Sequence, residues 1–507
     1  MKTPARRCSR RTHALLHDLF YQQRWIGLHG LVVMLGLVIY AAASHTLRQR
    51  RHPSAAIAWV VTLVLIPYIA LPLYLMFGRR KLVTSRRANG TLMPRDSTAA
   101  PDKLSAQLTP QSGRLATAIG LAEAASFNGL DVHQDGRQAL QALRSIMDGA
   151  TQTLDVSSFL LGRDVLGDEV AASLIRRARD GVRVRLLIDG IGFYLGGRPS
   201  LRRLTAAGVQ VALFVSPLTS GLRGRTNLRN HRKMVIGDGQ RLWCGGRNLA
   251  AEYFEGDPSS LRNRATWIDL SFDLSGDLAQ QVQQRFDQDW NFALGKADFP
   301  RSAKPAKPPE PIFTDATAPS NPITVRPDAA LHARLVPSGP DQAEDTIYTL
   351  LVSGCFTAQR RILAVTPYFV PDQTLLLALT LAARRGVAVD LLLPVKSNHH
   401  LADIARAPAL RELAAAGAKV WLTPGMIHAK AVLIDDGLAL VGSANLDERS
   451  LFLNYELMVA FYDPPVVERF AHWIENHQRG AMAYVPRPPG LARELVEGVV
   501  RWVAFQL

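Results

Sequence analysis

Apolar residues form two long uncharged runs near the start of the chain and then break into short, regularly spaced blocks. The first run, 25–44, reads WIGLHGLVVMLGLVIYAAAS, and the second, 55–77, reads AAIAWVVTLVLIPYIALPLYLMF. Twenty helical residues at about 1.5 Å each reach across a hydrocarbon core of about 30 Å. The pattern predicts two transmembrane helices joined by ten residues, a membrane hairpin. Pro67 and Pro72 would break a soluble helix but are tolerated in a membrane. Trp59, Tyr68 and Tyr74 suit interfacial or packing positions. The end of the first run, Ala41-Ala42-Ala43-Ser44, also fits a signal-peptide cleavage site.

Beyond the hairpin, 78–125 is polar and reads as a connector. From 126 to 295 strand-like and helix-like blocks alternate: strands at 154–159, 182–189 and 209–214, helices at 169–181 and 201–208. The order recurs between 334 and 485, with strands at 362–369, 387–394 and 418–423 and helices at 375–386 and 410–417. Such alternation predicts an α/β fold of two similar halves, each a mixed sheet flanked by helices. Ten of the thirty prolines lie between 300 and 340 and mark a linker, 296–333, between the halves. The closing segment, 486–507, is amphipathic, which fits either a membrane-surface helix or a packed one.

Charge narrows the partner. The net charge of +16 points to an anion, either nucleic acid or anionic lipid. The two ends of the hairpin carry eleven basic residues (Lys2, Arg6, Arg7, Arg10, Arg11 and Arg24, then Arg79, Arg80, Lys81, Arg86 and Arg87). The loop between the runs carries three, Arg48, Arg50 and Arg51. The positive-inside rule then predicts a cytoplasmic N-terminus (1–24) and a cytoplasmic catalytic part. Cys8, Cys244 and Cys355 have no metal-ligand spacing and suggest no disulfide framework.

The chemistry sits in a motif that occurs twice, 197 positions apart: His231, Lys233, Asp238, Gly245 and Asn248, then His428, Lys430, Asp435, Gly442 and Asn445. Period-two alternation puts His and Lys on one face of a strand. Apolar runs at 234–236 and 431–434, followed by Gly-Asp-Gly and Asp-Asp-Gly, predict hairpins. Two histidines near neutral pKa supply a nucleophile and an acid–base partner. Two lysines and two asparagines suit the non-bridging oxygens of a phosphodiester. No acidic cluster has two-metal spacing, so the expected chemistry needs no metal or other cofactor.

This doubled motif resembles the phospholipase D superfamily. The resemblance implies that both motifs meet across a pseudo-twofold axis in one site, with His231, Lys233, Asp238, His428, Lys430 and Asp435 as the catalytic set. It also implies phosphate-binding roles for Asn248 and Asn445, a phosphohistidine intermediate and structural roles for Asp238 and Asp435. An acid further along each half would orient a histidine; the candidates are Asp269 and Glu456. The segment AWVVTLVLIPYIALPLYLMFGRRK, with GVRVRLLIDGIG, FDQDWNF, LVPSGPDQAEDTIY, TPYFVPD and SANLDERSLFLNYE, further resembles bacterial cardiolipin synthases. Arg247 and the stretch Gly256–Arg264 depart from that pattern. The implied reaction joins two phosphatidylglycerols into cardiolipin and glycerol at the bacterial inner membrane, with anionic lipid and not nucleic acid as partner. A lipid hydrolase giving phosphatidic acid, a nuclease, a non-catalytic scaffold and phosphatidylethanolamine as acceptor are the alternatives.

Overall fold

The computed structural model describes residues 27–42, 53–78, 110–215, 227–255, 266–295, 331–342 and 344–503. The chain divides into two compact units, residues 1–85 with 220–227, and the remainder. The basic N-terminus, the three loop arginines, the basic cluster after the second run, the stretch Gly256–Arg264 and linker residues 296–330 lie outside the described residues.

The first unit is helical. Residues 27–42 form one helix, followed by helices Pro53–Leu65 and Pro67–Phe77. The second apolar run is therefore not one continuous helix. Pro67 has no N–H to donate, so the chain breaks at Ile66, whose φ of −136° is non-helical. Among the described residues no helix is long and apolar enough to cross a membrane. The helices pack through Tyr74, whose ring meets Tyr40 at 5.5 Å and Trp59 at 5.2 Å. Gly36 lets Leu63 come close. Leu31, Met34, Val38, Ile57 and Ile69 point outward and are exposed.

The second unit is built on one 15-stranded mixed sheet. Its first half contributes β1 (Ala125–Val132), β2 (Thr153–Ser158), β3 (Arg183–Asp189), β4 (Gln210–Phe214), β5 (Met234–Gly237), β6 (Arg241–Gly245) and β7 (Ser271–Ser275). The second contributes β8 (Leu331–Ser338), β9 (Arg361–Val365), β11 (Ala388–Pro394), β12 (Lys419–Thr423), β13 (Ala431–Ile434), β14 (Leu438–Gly442) and β16 (Glu456–Phe461). Spatial order in the first half is β4-β3-β2-β5-β6-β7-β1, and in the second β12-β11-β9-β13-β14-β16-β8, with β17 (Met482–Ala483) added at the edge. The orders match strand for strand. They meet where β1 pairs antiparallel with β8, Ala125 opposite Ala333, which makes the sheet pseudo-twofold.

Each half has its own core. Val156, Leu186, Val235 and Trp243 pack with helices Gly136–Gly149 and Val165–Arg179 in the first. Ile362, Leu391, Val432 and Leu440 pack with helices Thr346–Thr357 and Gln373–Arg384 in the second. Within β2, β3 and β9 the apolar runs are buried on both faces, as parallel strands under helices require. The strand expected over 362–369 is shorter. Pro367 cannot donate to the ladder, so β9 ends at Val365 and β10 (Phe369–Val370) pairs separately with β15 (Leu446–Asp447).

Candidate active site

The two hairpins place their histidines at the seam between the halves. Just before β5, His231 N–H donates to the Tyr455 carbonyl (2.9 Å) and Tyr455 N–H donates to Arg229 (2.8 Å). The other half repeats this: Ile268 N–H donates to Met426 (2.9 Å) and His428 N–H to Ile268 (2.6 Å). The residue preceding each acid is thus hydrogen-bonded beside the histidine of the opposite half.

The side chains follow the backbone. His231 Nδ1 lies 3.0 Å from Glu456 and His428 Nδ1 2.7 Å from Asp269. Each carboxylate holds a proton on Nδ1 and leaves Nε2 as the basic nitrogen. The two acids are held differently. Glu456 accepts from Ser443 Oγ (2.5 Å) and Asn454 Nδ2 (3.2 Å). At the position matching Ser443 the first half has Gly246, where a Cβ would overlap the Asp269 carboxylate. The shorter acid and the missing side chain go together.

Lys233 and Lys430 are buried beside the histidines. Lys233 Nζ donates to the His231 carbonyl (2.7 Å). Lys430 Nζ donates to the His428 carbonyl and lies against the His428 ring, 2.7 Å from Nδ1 and 3.1 Å from Nε2. Burial lowers both ammonium groups, Lys233 to about 7 and Lys430 to about 8. Burial and then Lys430 push His428 down to about 3, and burial also lowers His231 against the pull of Glu456. Burial alone would raise the carboxyls. Instead Lys430 and His428 bring Asp269 below its ordinary range, and His231 and Lys233 do the same for Glu456. Because Lys430 also acts on His231 and Lys233 on His428, the two motifs share one electrostatic site.

Asn248 and Asn445 are buried nearby, each with an amide oxygen that has no partner. An acceptor oxygen cannot pair with a phosphate oxygen, so any contact to the phosphodiester comes from the amide N–H groups, of which Asn445 Nδ2 rests on Ser450 Oγ (3.2 Å). Asp238 and Asp435 are elsewhere. Each sits at the far turn of its hairpin, past β5 or β13, with a positive φ of 53° or 51°. Asp238 accepts from the N–H groups of Thr151, Gln152 and Thr153, and Asp435 from those of Gln359, Arg360 and Arg361. These carboxylates tie the turn to the start of β2 or β9.

Several contributors were not anticipated. Tyr253 (5.1 Å) and Trp267 (5.5 Å) pack their rings on His428, and Phe159 (5.4 Å) packs on His231. Arg247 is buried and donates to the Tyr253 carbonyl (2.9 Å), Ser271 Oγ (2.9 Å) and Glu255 (2.6 Å), which fixes the segment carrying Tyr253. Arg232, next to His231, bonds Asp289, while Arg285 joins Asp289 to Asp341, so an ion network underlies the seam. Asp189 at the end of β3 accepts from Asn230 N–H (2.9 Å) and steadies the approach to His231. Arg247 was visible in the sequence as a departure from the family pattern, though not what it bonds. The aromatic contacts gave no signal, because they come from loops without a repeat. Among the described residues the one potential metal group is Asp131, His133 and Asp273, where His133 is already bonded to Asp273 (2.8 Å) and Ser271 (3.0 Å).

Residues 143–290 and 356–478 match the family described as cardiolipin synthase, PLD-like domain, and 36–79 match the phospholipase D-nuclease N-terminal family. Cardiolipin synthase A of Pseudomonas aeruginosa (strain UCBPP-PA14) is 32% identical, covering 92% of this chain and 92% of its own. The protein of the same name from Pseudomonas putida (strain W619) is 30% identical over 86% of this chain and 88% of its own. Among solved structures, phosphatidylserine synthase of Haemophilus influenzae Rd KW20 shares the fold, with a TM-score of 0.57 at 14% identity, covering 78% of this chain and 100% of that one. With the doubled motif assembled into one site and this likeness over most of its length, the chain belongs to the cardiolipin synthase family of phospholipase D-like proteins.

Proposed function

We propose that the protein is a phosphatidyltransferase that joins two phosphatidylglycerols into cardiolipin and glycerol. The single observation that carries the mechanism is the pair of crossed His–carboxylate contacts, His231 with Glu456 and His428 with Asp269. One histidine attacks phosphorus through Nε2. The P–O bond to the departing glycerol breaks, and the other histidine gives that oxygen a proton. A phosphatidyl-histidine results. The second histidine then takes the proton of a glycerol hydroxyl on another phosphatidylglycerol, whose oxygen attacks phosphorus and frees the first histidine. Both histidines are depressed without substrate. The anionic phosphodiester raises them, because a nearby negative charge favours imidazolium. Lys233, Lys430, Asn248 and Asn445 carry the charge on the non-bridging oxygens.

The N-terminal helices serve as a membrane hairpin, with catalysis on the cytoplasmic side of the bacterial inner membrane. Their outward Leu, Val, Ile and Met side chains support this reading, and the break at Pro67 is tolerated where neighbouring helices complete the backbone. Incubating the purified protein with labelled phosphatidylglycerol tests the reaction. Cardiolipin and glycerol are expected, with chelator present or absent. Phosphatidic acid as the sole product would make it a hydrolase, and loss of turnover on chelation would end the metal-free mechanism.

A further inference from the structure

The C-terminal helix Leu491–Val503 is turned inside out for a soluble surface helix. Leu491, Leu495 and Val499, spaced four apart on one face, are 83%, 72% and 64% exposed, and Val496 beside them is exposed too. Among the described positions the buried ones are Glu497, 3% exposed, and Val500. Glu497 is held by Arg411 (2.5 Å) and Arg493 (2.9 Å). The charge thus pins the helix to the protein while its apolar stripe faces outward. A helix stabilised by packing alone would do the reverse.

Its place connects this stripe to the site. Val500 packs with Ala402 and Ala405 of helix His400–Ala405 and with Val370, and Tyr368 packs against that cluster. The Tyr368 ring lies 6.5 Å from that of His428. The small cluster and Tyr368 therefore link the helix to the catalytic histidine. Between the two helices lies a cavity of about 710 Å³ edged by Lys396, His400, Arg406 and Arg493 and by the acids Asp403 and Glu497. Leu401 is exposed, as are Arg493 on the helix and Arg487 in the segment before it.

We infer that this helix lies in the interface of an anionic bilayer, apolar stripe inward, and brings the mouth of the site to the lipid surface. The inference rests on lipid being the substrate. Apolar side chains in the acyl boundary with cations at the headgroups are what an interfacial helix needs. The helix's own charges balance, Arg493 and Arg501 against Glu494 and Glu497, so attraction to phosphatidylglycerol comes from the chain's net charge of +16, which also favours a bilayer over a second, equally basic copy of the chain.

The test uses the full chain in vesicles of phosphatidylglycerol and phosphatidylethanolamine. In a Cys8→Ser background, where Cys244 and Cys355 are buried, Val499→Cys carries an environment-sensitive dye. The dye should shift to the blue and be quenched by lipids brominated near the glycerol. Quenching by aqueous iodide, or cross-linking between copies through this cysteine, would overturn the proposal. The triple variant Leu491→Ser, Leu495→Ser, Val499→Ser should raise KM for vesicle phosphatidylglycerol by about tenfold or more. Its turnover of dissolved short-chain phosphatidylglycerol should not change. An unchanged KM on vesicles would also refute it. If the wild type converts no phosphatidylglycerol in any form, the functional reading fails, and the dye still decides the helix.

Discussion

His428 Nδ1 stands 2.7 Å from Asp269, a carboxylate of the opposite half, and His231 repeats the relationship with Glu456 at 3.0 Å. Each half lends its acid to the other. The cause is in the backbone, where Tyr455 and Ile268, each the residue preceding one of the acids, bridge to the segments carrying the histidines. Neither motif histidine finds its carboxylate within its own half, so the site exists only when the seam closes.

Glu456→Gln should lower kcat by about 10²–10⁴-fold, the scale seen when an acid that fixes a histidine tautomer is neutralised. Nitrogen NMR of labelled histidine should show a changed tautomer for His231 and an unchanged one for His428. The opposite pattern would contradict the crossed pairing.

Asp238→Asn should act on stability rather than chemistry. The side chain accepts from three consecutive backbone N–H groups, and its loss should cost about 1–3 kcal/mol. Those bonds hold the Asp238 pKa below its ordinary value, although burial opposes them. A depressed carboxyl adds stability above its unfolded pKa and loses it as pH falls through the folded one. The wild type should therefore lose more stability than the variant on acidification in that range. Thermal melts at several pH values measure this; the specific activity of folded variant should stay near wild type.

The repeat made much of this legible. Matching motif spacing marked the hairpins, and alternating apolar blocks marked β2, β3, β4, β9, β11 and β12. What pairs with what was not legible. Asp269 and Glu456 stood out as candidate acids, but a sequence offset within one half says nothing of contacts made across the seam. The central strands β1 and β8 lacked a clear apolar alternation, since β1 carries Asn128, Gly129 and Asp131. Proline was legible in kind but not in effect. Pro67 and Pro367 both stand in apolar runs, and each splits one expected element into two.

The pH profile should carry the lysines. In the free enzyme Lys233 loses its proton near about 7 and Lys430 near about 8, both because burial disfavours charge. Since kcat/KM reports free-enzyme groups, it should fall as pH rises through that window. Lys233→Arg keeps its charge and should move or remove the earlier decline, whatever it does to the maximum. An alkaline limb unchanged in position would assign the decline elsewhere.

Arg247→Met should uncover the cost of the departure in the first motif. It leaves Glu255 without its cation and frees the Tyr253 segment from its anchor. Breaking such a pair costs about 3–5 kcal/mol. Denaturant melts should show that loss, and Arg247→Lys should restore only part of it because one ammonium cannot reach all three acceptors.

The two histidines should separate on trapping. His231 Nε2 has no protein partner among the described residues, and its side chain is 14% exposed. His428 is 4% exposed, with Lys430 3.1 Å from Nε2 and Tyr253 and Trp267 packed on its ring. A nucleophile needs a free, approachable nitrogen, which favours His231. An acid–base group must pass a proton back and forth, a task suited to the enclosed His428. Loss of either should abolish turnover, and the two losses should not add, because the residues act as a unit. With a phosphatidyl donor whose leaving group needs no protonation, His428→Asn should still gain covalent label and His231→Asn should gain none. Mass spectrometry of the labelled peptide should find the phosphorus on residue 231. Label confined to His231→Asn would exchange the two roles, and label on both variants would show that each nitrogen can attack.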